Sequence, residues 1–213
     1  MSILQILAIA AVAFCFCNLL AFFLRLIRLG KPNDLSAKSG STSKGIQYSN
    51  TVAMMPQNKE SAFLHFPSYA SGILFHIGTF CCLLFFVLSF CPCIINWLAG
   101  NHVIALIIAI VLAITSFCGY GLFIKRAFSK DLRPLSNPDD YISNFLTSTF
   151  QLATASYICC QCLAMTNIYY IVCIILFLYL PFGKLRHVVF YFAARYHLGF
   201  FYGWRNVWPK NEK

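Results

Sequence analysis

Five long apolar runs, separated by polar segments, organise the chain. They cover residues 3–24, 70–90, 103–124, 142–162 and 168–190. Each reaches the ~20 apolar residues that a membrane-spanning helix needs. The first run carries no charge until Arg25, has no basic stretch ahead of it and is followed by no Ala-x-Ala-like site. It is also longer than the ~7–15 apolar residues of a signal-peptide core, so a retained first helix is expected. The fourth run is the most polar, with Ser143, Asn144, Thr147, Ser148, Thr149, Gln151, Thr154 and Ser156. Small and hydroxylated residues let membrane helices pack closely, which predicts an interior position. Pro181 predicts a kink in the fifth run.

Between the first two runs, residues 25–69 show no apolar period and read as one long loop, closed by Pro67 near the start of the next helix. Cys91 to Asn101 and the stretch near Met165-Thr166-Asn167 read as short uncharged turns. Residues 191–213 form a basic, aromatic tail in which Trp204 and Trp208 read as interface anchors.

Composition agrees with the pattern. Hydrophobic residues make up 60% of the 213-residue chain, charged residues 10%, and the mean hydropathy is +0.72. Soluble domains carry about 25% charged residues. The expectation is an all-α integral membrane protein forming a single five-helix domain. The net charge of +10 does not signal nucleic acid, because the basic residues alternate with the apolar runs. Six of the 16 Lys and Arg lie in 25–69, four in the segment after the third run, and six from Lys184 onward. The N-terminus and the other two turns hold none. By the positive-inside rule the N-terminus is expected outside, with the 25–69 loop and the 191–213 tail cytoplasmic.

Two histidines stand inside these runs. His76 lies in Leu74-Phe75-His76-Ile77-Gly78, and His187 follows Pro181-Phe182-Gly183-Lys184-Leu185-Arg186. With continuous helices, His76 sits roughly 9 Å in from the basic side and His187 roughly 28 Å down from the other. Both then reach similar depths in a ~30 Å core. An ionisable residue in a span is costly and points to function. Two imidazoles at one depth can hold a haem b iron from its two faces. The plainer reading is a histidine hydrogen-bonded to a neighbouring helix. Lys184, Arg186 and Arg195 are candidate partners for haem propionates, or anchors at the headgroup level.

His65 and His197 are weaker candidates, for a quinone site or a second haem; an interfacial histidine is the plainer reading of each. His102 reads as interfacial. Eleven cysteines are present. Those inside the runs read as small hydrophobes. Cys91-Pro92-Cys93 and Cys159-Cys160-Gln161-Cys162 fall at the outer helix ends, an oxidising face on which a disulfide between the two groups is left open.

The five-run layout, the long loop after the first helix, Leu74 to Gly78 and Pro181 to His187 resemble the gamma subunit of respiratory nitrate reductase. The membrane subunits of heterodisulfide reductase and of the dissimilatory sulfite-reduction complex are relatives. Ala193-Ala194-Arg195-Tyr196-His197-Leu198-Gly199 looks more like the heterodisulfide-type branch. The resemblance implies a prokaryotic inner-membrane cytochrome b subunit with His76 and His187 as axial ligands. It would pass electrons between a membrane quinone and a cytoplasmic iron–sulfur subunit. The positions matching the family's second ligand pair are Phe86 and Tyr169, so one haem is expected. Two other classes stay open. One is a membrane thiol-disulfide oxidoreductase using the outer cysteines, of which Cys159 and Cys162 have Cys-x-x-Cys spacing. The other is a haem-free membrane anchor or transporter.

Overall fold

A computed structural model describes residues 2–30 and 32–209. Its helices are α1 (Ile3–Arg28), α2 (Thr42–Asn50), α3 (Glu60–Leu64), α4 (Phe66–Leu88), α5 (Pro92–Gly100), α6 (His102–Phe128), α7 (Pro138–Cys159), α8 (Leu163–Tyr179) and α9 (His187–Trp204). Short 3-10 turns cover Val52–Met54, Pro56–Asn58 and Lys184–Arg186, and no strand occurs among the described residues. By length and composition α1, α4 and α6 can each cross a membrane. A fourth crossing results if Leu163–Tyr179 and Lys184–Trp204 form one broken span. Apolar helices of this kind belong against lipid, so this is a membrane protein.

The structure departs from the expected pattern in several places, each with a local cause. The single helix expected over 168–190 ends at Tyr179 instead. Pro181 has no N–H and its ring opposes the carbonyl one turn back; Phe182 and Gly183 N–H groups both turn to Tyr179 O at 3.0 Å. A new helix begins at His187 and takes in much of the tail expected as 191–213, whose last four residues lie outside the described ones. The 25–69 loop contains α2 and α3. Ser41 starts α2 by accepting the Lys44 N–H at 3.4 Å. The turn expected over Cys91–Asn101 holds α5, opened by Pro92 in its first turn. The fourth run begins at Pro138, where Asn137 and Asp140 make a reciprocal capping box. Lys31 lies outside the described residues.

The chain divides into two compact units, Met1–Cys15 with Pro67–Lys184, and Phe16–Phe66 with Leu185–Lys213. In the first, α7 is interior, as its hydroxyls predict. Ser143, Thr147, Ser148, Gln151 and Thr154 are all buried. Most of these hydroxyls donate to the carbonyl one turn back, such as Thr147 to Ser143 O and Thr154 to Phe150 O. Gln151 reaches across instead. It donates to Phe75 O at 2.9 Å and Thr79 Oγ1 at 2.8 Å, and accepts from Thr115 Oγ1 at 2.7 Å. One side chain thus ties α4, α6 and α7 together.

Gly78 makes that closeness feasible, because a Cβ there would lie 2.5 Å from Thr115 Cβ and 2.6 Å from Gln151 Oε1. Gln151→Leu is expected to cost about 0.6–2 kcal/mol, the span of values for interhelical side-chain bonds in membranes. Unfolding of the purified chain in mixed micelles measures it; an unchanged midpoint would mean that apolar packing alone holds the three helices.

In the second unit, α2 lies against α9 through glycines. A Cβ on Gly199 would sit 2.5 Å from Ile46 Cα, and one on Gly45 would sit 2.5 Å from Gly203 Cα. Polar bonds bracket the contact. Arg195 Nε donates to Ser49 O at 2.8 Å and Ser49 Oγ returns a bond to Arg195 O at 2.8 Å. Ser39 and Gly40 N–H groups both donate to Trp204 O at 3.0 Å, and Arg205 pairs with Asp34.

Hydrogen bonds from Ser36, from its hydroxyl and its N–H, together with the Arg205 guanidinium, hold the Asp34 carboxyl below its ordinary value of 3.8. A lowered folded value contributes stability above the unfolded pKa and loses it as pH falls through the folded one. Protease protection of residues 32–50 is therefore expected to be constant above pH ~4 and to decline below it. In Asp34→Asn that decline should vanish.

Candidate functional site

His76 lies near the middle of the 23-residue α4, two residues before Gly78. The helix buries its opposite side through Gly78, Cys82, Phe85 and Phe86. Its exposed side carries Ile73, Ile77, Phe80, Leu84 and Val87. His76 is exposed as well, an imidazole in an apolar surface. Its Nδ1 is 2.6 Å from Gly72 O. A carbonyl oxygen only accepts, so Nδ1 carries the proton and, in the neutral ring, Nε2 carries the lone pair. That tautomer is the one second-shell carbonyls impose on metal-bound histidines. One turn earlier, Gly72 has nothing within 4 Å of where a Cβ would stand. The surface beside the imidazole is therefore open at Gly72.

The other sequence candidates are distributed as follows. Lys184 Nζ donates to Asp140 in the first unit, and Arg126 NH1 reaches the same carboxylate at 2.7 Å. These bonds tie the ends of α6 and α7 to the chain after α8. Arg195 is committed to Ser49 O and lies over the Trp208 ring, 5.9 Å from its centre. Its main work is to fasten α2 to α9. The Arg186 guanidinium lies over Phe22 at 5.9 Å. His187 is the exposed first residue of α9, in the second unit. His65 is exposed in the turn before α4. His197 is exposed on α9 and lines a hollow of about 530 Å³ with Asn33, Asp34, Leu198 and Phe201. Because α8 stops at Tyr179, the depth reckoned for His187 along one continuous helix does not apply.

Phe86 and Tyr169 are both buried in the interior of the first unit. Phe86 packs on Phe177 at 4.8 Å, and Tyr169 stacks on Tyr157 at 4.8 Å and meets Tyr170 at 5.0 Å. Aromatic side chains fill this region from α4, α7 and α8. Tyr170 Oη donates to Ser89 Oγ at 3.3 Å, whereas Tyr169 Oη lacks a well-formed partner.

The cysteines bear on the disulfide that the sequence leaves open. All eleven are free, so no disulfide joins Cys91 or Cys93 to Cys159, Cys160 or Cys162. These five are exposed, while Cys15, Cys82 and Cys173 are buried.

Sequence reading did not find Gly72, Gln151 or Asp140. Gly72 was visible as the residue four before His76, and Gln151 as an amide among hydroxyls. Asp140 was visible only as part of a loop acid pair. Arg126 and Lys184 come to it from 14 and 44 positions away in sequence.

No protein-family model matches the chain, and no curated protein or solved structure matches it.

Proposed function

We propose that this chain is a haem b electron-transfer subunit of a prokaryotic inner-membrane complex, with His76 and His187 as the two axial ligands. The observation that carries the reading is the His76 ring. It stands in an apolar exposed face with its proton held at Nδ1, which leaves Nε2 as a ligand, beside the open surface at Gly72. Haem b, when bound, supplies a one-electron iron couple suited to exchange between a quinone and an iron–sulfur centre.

The chain's own residues do the positioning. Gly72 O fixes the imidazole tautomer and raises its basicity. Gly78 and Gln151 hold α4 on α6 and α7, so the His76 backbone is rigidly placed. His187 begins α9, whose seat on α2 is secured by Arg195 and the glycine contact. In this reading α1, α4, α6, α7 and α8 cross the membrane, with the N-terminus outside. The three basic segments then face the cytoplasm, where an iron–sulfur partner would dock.

The test is a dithionite-reduced minus oxidised visible spectrum of the purified chain from haem-replete cells, with haem quantified per chain. One b-type haem is expected. Folded protein without haem would overturn the reading. Two haems would bring His65, His197 or His102 back as ligands.

A further inference from the structure

α2 and α9 make a two-sided unit. The exposed residues of α2 are Ser43, Lys44, Gln47 and Asn50, all polar. α9 turns Gly199 and Gly203 toward α2. Its exposed residues include Phe190, Tyr191, Ala194, His197, Leu198 and Phe201. At 3.6 residues per turn these six fall within an arc of roughly 120°, on the side of α9 opposite the two glycines. Water suits the outside of α2. An exposed apolar stripe of this width marks a contact with protein or membrane.

The position of α9 against α1 decides between them. The second unit contains α1 from Phe16 onward, and α1 is long and apolar enough to cross a membrane. Phe190, on the apolar face of α9, packs against Phe22 of α1 with ring centres 6.1 Å apart. Phe22 lies three residues before Arg25, the first charge of that span, a step of about 4.5 Å along the helix axis. The Arg25 and Arg186 guanidinium groups both lie over the Phe22 ring, at 5.8 and 5.9 Å. Aromatic rings and cations at one level mark the boundary between membrane and water. The apolar face of α9 therefore starts at that boundary, on the span itself.

We propose that α9 is an interfacial helix whose face from Phe190 to Phe201 lies in the lipid, between headgroups and acyl chains, while α2 stands on the aqueous side.

The chemistry of the face suits this occupant. Pro32, Asn33 and Asp34 border a hollow of about 530 Å³ along Ala194, Leu198 and Phe201, which gives room to part of an acyl chain. Asp34 brings no bare anion there. The Ser36 N–H and Oγ donate to its Oδ1 at 3.0 and 2.8 Å, and Arg205 pairs with it. His197 has an apolar ring body and a polar edge that reaches toward headgroups from such a depth. Basic groups flank the face at both ends. Arg186 stands just ahead of α9, and Lys38 lies over the Trp204 ring at 5.7 Å. Cations at this level attract anionic lipid, and that attraction adds to the gain from burying apolar area. Neither the face nor its level depends on haem.

The full chain is reconstituted, at one chain or fewer per vesicle, in equal parts phosphatidylcholine and phosphatidylglycerol. One sample is photolysed with a bilayer-soluble aryl diazirine and another with a water-soluble diazirine, and adducts are mapped by peptide mass. The aryl reagent is expected to mark Leu198 and Phe201, as it marks α4 and α6, and to spare Lys44, Gln47 and Asn50. The aqueous reagent should show the reverse. Leu198→Glu combined with Phe201→Glu should lower aryl labelling of α9 severalfold and leave that of α4 and α6 unchanged. Both residues are exposed, so the α2 contact should persist, and protease protection of residues 32–50 checks it. Should the double variant fail to fold, the two patterns on the unaltered chain still decide. Aqueous labelling of α9 as heavy as that of α2 overturns the proposal. So does an α9 marked by neither reagent, which would mean that protein covers the face. Aryl labelling of α2 and α9 alike, or an unchanged pattern in the folded double variant, overturns it as well.

Discussion

His76→Ala is expected to abolish the b-type spectrum while leaving the helical fold intact. His76 is exposed on α4 and its polar contact is to Gly72 O in its own helix. Removing the ring therefore breaks no tie between helices, and circular dichroism and unfolding in micelles should be unchanged. On the proposed reading, a haem iron would lose a ligand that no apolar neighbour on that face replaces. Gly72→Leu makes a sharper test. The imidazole and its tautomer are retained, but a branched side chain occupies the open space one turn away. Nothing stands within 4 Å of the Gly72 Cβ position, so the fold accommodates the leucine. A flat macrocycle beside His76 would not. Haem per chain should fall severalfold in Gly72→Leu. Full occupancy there would place the haem on another surface.

The second large effect concerns Gly199. On helix propensity alone, Gly199→Ala in α9 should stabilise by up to about 1 kcal/mol. The tertiary contact reverses the sign. The added Cβ would stand 2.5 Å from Ile46 Cα and 2.9 Å from Ile46 N and Gly45 O. These are backbone atoms, which cannot swing aside as a long side chain can. Overpacking of this kind costs typically about 1–3 kcal/mol, and Gly199→Val should cost more than Gly199→Ala. The expected outcome is release of α2 from α9. Hydrogen exchange at the Ser39 and Gly40 amides, both bonded to Trp204 O, should accelerate, and proteolysis between residues 32 and 59 should begin. Gly100→Ala is the control, since its Cβ would meet nothing within 4 Å. Unchanged exchange in Gly199→Val would mean that the polar bonds at Arg195 and Trp204 suffice to hold α2.

Much of the helical pattern was legible before any coordinates. Runs of apolar residues specify helices wherever backbone groups must bond internally in lipid, and α1, α4 and α6 appear where those runs fall. The hydroxyl-rich fourth run predicted an interior helix, and α7 is interior, because small polar side chains satisfy themselves on their own backbone and pack closely. His76 could be singled out for the same reason it is a candidate ligand: a polar ring in an apolar run is costly without a partner.

Other features were illegible because they depend on residues far apart in sequence. Residues 25–69 looked structureless, since α2 is too short to stand alone. It exists as a docked helix because Gly45 fits Gly199 and Gly203, more than 150 positions away. Lys184 and Arg195 read from the sequence as propionate partners or headgroup anchors, whereas the fold brings Asp140 to one and Ser49 O to the other. Pro181 announced a kink, but whether the chain would bend or stop was settled by where Phe182 and Gly183 found a carbonyl.

The sequence by itself determined the membrane class, the helical content, the interior place of α7 and the candidate histidines, because each follows from local composition and period. Only the tertiary structure decided that the fifth run breaks after Tyr179, that α2 pairs with α9, and that Gln151 joins three helices. Those are matters of distance between residues remote in the chain, and distance is set by packing.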